Sequence, residues 1–284
     1  MYQSSLDQMT LTDYFKRINF DDEARPDLTT LIALHKAHQN AVPFENIDVQ
    51  LGRPLTLNVE ESYNKIVRHH RGGWCYEMNG LMGWVLEEIG FSVARLSAGV
   101  MREVHGDEKL GNHLCLLVQL DQPYLVDVGF GGSLIAPIPL KESELENTPY
   151  IIRLKSVDGD FWRFSEQAYG EPFSFDFNPN LRDENLLAEN IQYQQSSPNS
   201  PFVQNLVVQR RQDDKHFSLR GRVLTSKTTL GEDKQILKSP EHLVDVLMSY
   251  FDLNVPEITS LWQAICTRHK QLFPESIDTY SELP

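Results

Sequence analysis

The most informative stretch of this chain is Arg71-Gly72-Gly73-Trp74-Cys75-Tyr76-Glu77-Met78-Asn79-Gly80, which places a cysteine after a flexible Gly-Gly pair. The apolar residues that follow, up to Ile89, predict a helix that begins near Cys75 and stops at Gly90. A thiol at a helix N-terminus lies at the positive end of the helix dipole and beside unpaired backbone N–H groups. Both favour the thiolate, which is the nucleophilic form of cysteine. Taken alone, however, the pattern is more typical of a small buried cysteine without a chemical role.

Two later segments supply partners for that thiol. Residues 112–118 predict a strand that carries His113, and residues 123–128 predict the next strand, which carries Asp127. A lone histidine on a strand is usually structural, but strands are depleted in aspartate, so Asp127 needs a reason. In chain order, Cys75, His113 and Asp127 match a nucleophile, a base and an acid that orients the base.

Several strings surround these residues at characteristic spacings. They are Tyr14, Arg17-Ile18, Val42-Pro43-Phe44-Glu45-Asn46-Ile47-Asp48-Val49, the segment 71–79, Asn112-His113 and Asp127-Val128-Gly129-Phe130-Gly131. Together they resemble the arylamine N-acetyltransferase family over most of the first 135 residues. Beyond about residue 140 the match is loose, apart from Ser197-Pro198-Asn199-Ser200-Pro201-Phe202. The resemblance implies that Cys75, His113 and Asp127 form a catalytic triad.

The resemblance also implies an activity, which is the transfer of an acetyl group from acetyl-CoA to an arylamine or arylhydrazine. A cysteine nucleophile would carry the acetyl group as a thioester between two half-reactions, which predicts ping-pong kinetics. Acetyl-CoA and a small aromatic amine or hydrazine are then the expected partners, and no metal is expected. Two alternatives keep the same triad: an amide synthase that uses another acyl thioester, and a cysteine hydrolase in which water attacks the acyl-enzyme.

Substrate contacts are expected around the triad. Flat apolar acceptors suit aromatic walls, which makes Phe44, Phe130 and Phe202, and more weakly Val100, the candidates for a substrate pocket. The glycine-rich turn is expected to contact the cofactor through Gly129, Phe130, Gly131 and Gly132, because glycines let backbone N–H groups approach a pyrophosphate. Each pocket residue, taken by itself, is more typical of plain core, and the turn fits the end of a strand equally well.

Three further residues are expected to support the loop that precedes Cys75 and positions its thiol. Asn79 lies one helical turn after Cys75 and therefore on the same face. Arg71 and Glu45 have opposite charges and are expected to pair beside the site. Cys115 and Cys266 are expected to have no catalytic role, the latter as core.

Composition narrows the class of protein. The 284 residues carry 26 basic and 40 acidic side chains, a net charge of −14, which argues against a nucleic-acid partner. Residues 207–227 are locally basic and predict either a phosphate site or, more simply, a solvated strand face.

Three cysteines without paired spacing indicate neither a disulfide framework nor a zinc site and fit the cytoplasm. No apolar signal or membrane-spanning stretch is visible. The oligomeric state is left open between monomer and homo-oligomer.

The order of elements predicts an α+β fold. Residues 1–90 are expected to form a helical domain with the nucleophile, residues 91–200 an antiparallel β-barrel domain with His113 and Asp127, and residues 201–284 an α/β lid. The resemblance adds a core similar to papain-like and transglutaminase-like cysteine enzymes.

Residues 166–204 are polar and predict a long connection. A tight hairpin at Asp121-Gln122 would place Asp127 opposite Leu116, about three residues from His113, so a bulge or shifted register is needed to join the two.

Overall fold

The computed structural model describes residues 8–273. The outermost ends of the expected first and third domains, residues 1–7 and 274–284, lie outside the described residues. Helices come first in the chain and two antiparallel sheets follow, so the α+β fold class is confirmed.

The first part of the chain is mainly helical. Its elements are α1 (Leu11–Ile18), α2 (Leu28–Ala41), the short strand β1 (Phe44–Glu45), α3 (Ile47–Gln50), α4 (Val59–Tyr63), a π-helical continuation (Asn64–Arg68) and α5 (Cys75–Ile89). Side-chain oxygens of Thr10, Asp27 and Asn58 accept backbone N–H groups at three of the helix starts. Gly90 ends α5 in a left-handed conformation with φ of 105°. The predicted helix that begins at the cysteine is therefore confirmed.

An eight-stranded antiparallel sheet follows, in the spatial order β5-β4-β3-β2-β9-β8-β7-β6. Its strands are β2 (Ser92–Val100), β3 (His113–Gln119), β4 (Pro123–Val126), β5 (Ile138–Pro139), β6 (Ser143–Asn147), β7 (Tyr150–Ser156), β8 (Trp162–Gln167) and β9 (Phe173–Phe177). The short helix α6 (Arg102–His105) lies between β2 and β3. A tight turn at Asp158-Gly159 joins β7 to β8.

The expected antiparallel β-barrel is observed as a curled half-barrel, in which β5 and β6 are the edge strands. The edge strands β5 and β6 are consecutive in the chain, and only residues 140–142 separate them. A link this short forces the sheet to curl until its edges approach each other. The buried inner face carries Leu96, Phe164 and Phe175, which form one of the hydrophobic cores.

The expected long connection over residues 166–204 is also wrong. This segment contains the end of β8, the strand β9, helix α7 (Glu184–Ser196) and helix α8 (Pro201–Gln204). Alternate residues of β9 are aromatic (Phe173, Phe175 and Phe177), a period of two that is typical of strands. Asp183 caps α7 by accepting the Leu186 N–H. Both signals are local, and the polar composition of the segment obscures them.

The last part of the chain forms a five-stranded antiparallel sheet in the order β1-β10-β11-β12-β13. Its later strands are β10 (Val207–Gln212), β11 (Lys215–Arg220), β12 (Val223–Thr228) and β13 (Gly231–Ile236), followed by α9 (Pro240–Phe251) and α10 (Trp262–Leu272). Ser239 caps α9 by accepting the His242 N–H. Strand β1 comes from the helical part, with Phe44 opposite Gln209 and Glu45 opposite Val208. The first and last parts of the chain therefore share one sheet.

Arg17 joins three segments of the helical part. Its guanidinium is buried and donates to the carbonyl oxygens of Ile66 at 2.9 Å, Ala41 at 3.0 Å and Arg71 at 3.3 Å. The last of these carbonyls lies in the loop that leads to Cys75. Buried carbonyls without donors are costly, so this one side chain stabilises the approach to α5.

Arg17→Met is expected to lower the free energy of unfolding by about 3 kcal/mol, because it leaves buried acceptors without a donor. Urea unfolding followed by circular dichroism measures this change. Arg25→Ala is the matched control, since Arg25 forms an exposed pair with Glu23 and its loss should cost less than about 0.5 kcal/mol. Equal effects of the two substitutions would contradict the structural role of Arg17.

Candidate active site

Three elements bring the predicted triad residues together. Cys75 is the first residue of α5, His113 is the first residue of β3, and Asp127 directly follows β4. The three residues are buried, with 3%, 1% and 1% of their surfaces exposed. His113 Nε2 lies 2.7 Å from Asp127 Oδ2, and the Cys75 side chain hydrogen-bonds His113. Because Nε2 faces the carboxylate, Nδ1 is the ring nitrogen left for the sulfur.

The strand register explains how His113 reaches Asp127. The expected opposition of Asp127 and Leu116 is wrong by one residue, because Leu116 pairs with Val126. Continued by one step, this register places Asp127 opposite Cys115 and two residues from His113. An even offset keeps both side chains on one face of the sheet, and diagonal neighbours are within reach of long side chains. No bulge is needed for the contact.

Asn79 fixes the Asp127 carboxylate from the helix side. Its Nδ2 donates to Asp127 Oδ1 at 2.8 Å and to the Leu114 carbonyl at 2.7 Å, and its Oδ1 accepts the Val128 N–H at 2.9 Å. The Gly129 N–H donates to the same Asp127 Oδ1 at 2.8 Å. One amide side chain therefore ties the helix that carries Cys75 to both strands of the pair.

His113 is held as a cation. Burial alone would lower its pKa, but the Asp127 carboxylate and the hydrogen bonds to Asp127 and Cys75 raise the pKa of His113 to about 10. The ring is then an imidazolium at neutral pH, next to a sulfur at a helix N-terminus.

Two side chains that the sequence analysis missed hold the backbone of Asp127. His35 Nε2 lies 3.1 Å from the Asp127 carbonyl oxygen, and Gln39 Nε2 donates to the same oxygen at 3.3 Å and to the Leu134 carbonyl at 3.2 Å. Burial lowers the pKa of His35 to about 4, despite an opposing effect of Asp127, so the ring is neutral and donates. Both residues lie on one face of α2, four positions apart. That spacing was the available signal, and it did not distinguish them from other polar residues of the helix.

The expected pair of Arg71 and Glu45 forms behind the loop that precedes Cys75. Arg71 Nη2 lies 2.7 Å from Glu45 Oε1 and 3.2 Å from Asp48 Oδ1. Glu45 Oε2 also accepts the Ile47 N–H at 2.7 Å. Glu45 is fully buried, and these contacts satisfy its charge.

Lys65 and Glu77 extend this ion-pair cluster to the residue before the thiol. Lys65 Nζ lies 2.9 Å from Glu77 Oε2 and 2.9 Å from Asp48 Oδ2, and Glu77 Oε2 accepts the Trp74 N–H at 3.2 Å. Burial opposes the charge of Lys65, but Glu45, Glu77 and Asp48 raise its pKa. Sequence reasoning missed Lys65, which no local pattern links to Cys75, and it assigned no role to Asp48 and Glu77, although both lie within the quoted strings.

The four candidate pocket residues form two groups. Phe202 lies next to Trp74, with ring centroids 5.6 Å apart, and next to Phe44 at 6.2 Å. Phe130 lies next to the His113 ring at 5.4 Å. Val100 packs against the same core as Phe130. One group therefore borders the residue before Cys75 and the other borders His113; their roles as pocket walls remain predictions.

The glycine-rich turn packs tightly against protein atoms. A Cβ on Gly129 would lie 2.7 Å from Cys75 Cα, and a Cβ on Gly131 would lie 2.5 Å from Gln209 Oε1. Gly132, with φ of 102°, faces Arg211 Cβ at 3.3 Å. These glycines let the turn fit between α5 and β10, and their predicted contacts with a cofactor stay predictions.

The basic stretch over residues 207–227 does not form one cationic face. Arg210 and Arg211 are consecutive on β10 and point to opposite sides; Arg211 is buried and Arg210 donates to the Asn40 carbonyl. Lys215 and Arg220 are exposed. Within residues 8–273, no group of three or more His, Cys, Asp or Glu side chains is placed to hold a metal ion, and no helix is long and apolar enough to cross a membrane.

The chain is similar in sequence and in fold to several known proteins. The sequence profile of a family described as N-acetyltransferase matches residues 27–259. The arylamine N-acetyltransferase of Mycolicibacterium smegmatis is 36% identical over 260 residues, which cover 88% of this chain and 94% of that protein. The solved structure of the Mycobacterium marinum arylamine N-acetyltransferase in complex with CoA matches with a TM-score of 0.81 and 32% identity, covering 92% of this chain and 99% of that one. The Salmonella typhimurium enzyme matches with a TM-score of 0.80 and 26% identity, covering 92% and 100%. This chain belongs to the arylamine N-acetyltransferase family.

Asp127→Asn is expected to shift the titration of His113 to below about pH 6.5, because burial then acts without an opposing carboxylate. In the wild-type protein the ring should titrate near pH 10. Folding raises this pKa, so its contribution to stability is complete below about pH 6.5 and is lost as the pH rises through 10.

NMR of the ring carbons measures both titrations, and His113→Gln assigns the signal by removing it. A wild-type ring that loses its proton below pH 8 would contradict the proposed effect of Asp127.

Proposed function

We propose that this protein transfers an acetyl group from acetyl-CoA to an aromatic amine or hydrazine through an acetyl-Cys75 intermediate. The observation that carries the proposal is the placement of Cys75 at the start of α5 beside a His113 ring held as a cation by Asp127. Membership in the family and the CoA complex of the M. marinum relative support acetyl-CoA as the donor. A second acyl donor of the thioester class would use the same residues.

In the first half-reaction, the Cys75 thiolate attacks the acetyl carbonyl carbon of the thioester. A new carbon–sulfur bond forms to Cys75 and the bond to the CoA sulfur breaks. The departing CoA thiolate takes the proton of the His113 imidazolium, which leaves a neutral ring. One thioester replaces another, so this step is near energy balance. The role of Asp127 is to orient the ring and stabilise its charged form.

In the second half-reaction, the amine nitrogen attacks the acetyl carbon on Cys75. The carbon–nitrogen bond forms, the carbon–sulfur bond breaks, and the proton leaving the nitrogen returns to His113. This restores the thiolate and imidazolium pair and releases an amide. Arylamines are neutral at pH 7 and need no base before the attack, so a neutral His113 is required only for the departing proton.

All three proposed domains contribute to this arrangement. Cys75 comes from residues 1–90, and His113 and Asp127 come from residues 91–200. From residues 201–284, Gln209 packs against Gly131 of the glycine-rich turn. We propose that the aromatic groups around Phe202 and Phe130 receive the acceptor ring, and that Glu45, Arg71 and Asn79 hold the thiol in position.

Brief exposure to acetyl-CoA should add one acetyl group to the protein, located on Cys75, and an arylamine should remove it. Intact-protein mass spectrometry followed by peptide mapping measures both steps. Cys75→Ser should block labelling and lower transfer at least about a thousandfold. The matched control, Cys266→Ser, should label normally. Loss of the acetyl group at the same rate with and without the amine would instead indicate a hydrolase.

His113→Gln and Asp127→Asn should each lower kcat/KM for acetyl transfer by about a thousandfold, and the double variant should lose little more than either single variant. Residues that act as a unit are not additive, because the first substitution already disables the proton transfer. Steady-state kinetics with the purified variants measures this. His105→Gln is the control, since His105 is exposed on α6. Additive losses would argue against a shared role.

A further inference from the structure

The inner face of the half-barrel carries an acidic side chain among aromatic rings. Glu166 on β8 lies opposite Ile152 on one side and Phe173 on the other, and side chains paired across strands share a face. Phe164, two residues earlier, is fully buried on the same face. Glu166 itself is half-buried, and Phe173 is 44% exposed, so the two lie at the open rim of this face.

Phe130 connects this rim to the proposed active site. Its ring stacks on Phe173 at 5.1 Å with an interplanar angle of 12°, and it meets the His113 ring edge-on at 5.4 Å. Phe175 lies against both His113, at 4.8 Å, and Phe130, at 4.8 Å. A continuous aromatic surface therefore runs from His113 through Phe130 to Phe173, which lies opposite Glu166.

The carboxyl of Glu166 has one neutral neighbour, the Ser133 hydroxyl, which hydrogen-bonds it and lowers its pKa. Its Oε2 is buried, and among the described residues no ion pair holds it. Burial raises the pKa of Glu166 to about 7, against the opposing effects of Ser133 and Lys227 and with a further rise from Asp127. The Tyr150 hydroxyl is a further titratable group near Glu166. One hydroxyl leaves most of the acceptor sites of a carboxylate free, and together with the rim position of Glu166 this points to a ligand.

We propose that Glu166 determines acceptor specificity, by accepting a hydrogen bond from a ring substituent remote from the reacting amine and by excluding acceptors with a carboxylate there. This inference rests on the proposed acetyl transfer to an aromatic amine. An aromatic ring that lies along Phe130 with its amine toward Cys75 and His113 directs the opposite end of the ring toward Glu166. Hydrogen-bond donors fit that end, whereas a second carboxylate meets a like charge in a poorly solvated place.

The test compares two acceptors of nearly equal shape, 4-aminobenzoate and 4-aminobenzamide, at pH 8.5, where Glu166 is anionic. The wild-type protein should favour the neutral amide in kcat/KM by about tenfold or more. Glu166→Gln keeps the shape and removes the charge, so the ratio between the two acceptors should fall by about tenfold.

Glu146→Gln is the matched control, because it removes the same charge from the same sheet. Glu146 is exposed and lies opposite Ile151 on the outer face of that sheet, and its substitution should leave the acceptor ratio unchanged. An unchanged ratio in Glu166→Gln, or a wild-type preference for the carboxylate, would overturn the role of Glu166 while leaving acetyl transfer intact. Failure of the wild-type protein to acetylate either acceptor would overturn both proposals.

Discussion

The hydrogen bonds of Asn79 set the distance between the two halves of the site. This amide, one turn into α5, donates to the Asp127 carboxylate and the Leu114 carbonyl and accepts the Val128 N–H. Apolar packing alone tolerates small sliding movements between a helix and a sheet, whereas directed hydrogen bonds do not. The position of the thiol relative to the imidazole therefore depends on one buried side chain. Gly129 makes the close approach possible, because any Cβ there would collide with Cys75.

Local signals in the sequence were sufficient for much of the architecture. The start of α5 at Cys75 and its end at Gly90 both follow from residues within a few positions of one another. Such features depend on helix capping and turn chemistry, which neighbouring residues determine. The opposite charges of Arg71 and Glu45 were likewise enough to predict their pairing, although not the burial of Glu45.

Features that depend on distant residues were not predictable in the same way. His35 and Gln39 meet the Asp127 carbonyl across 92 and 88 positions of the chain, and no local pattern marks them. The register of β3 and β4 differed by one residue from the expectation for a tight turn at Asp121-Gln122, and that single step decides whether His113 and Asp127 share a face. Glu166 gave no signal in the sequence either, because its surroundings come from β7, β9 and the turn after β4.

The pairing of β1 with β10 determines when the five-stranded sheet can form during synthesis. Asn46 and Val207, which hydrogen-bond beside that pairing, are 161 positions apart, while Glu45 also bonds to the Gly73 carbonyl in the loop before Cys75. On the ribosome, the segment around Glu45 thus emerges long before its partner strand. A nascent chain that ends before β10 already contains Cys75, His113 and Asp127. It lacks β10, the strand that pairs with β1 next to the loop before Cys75. The strand that pairs with β1 is therefore complete only after residue 212 has been synthesised.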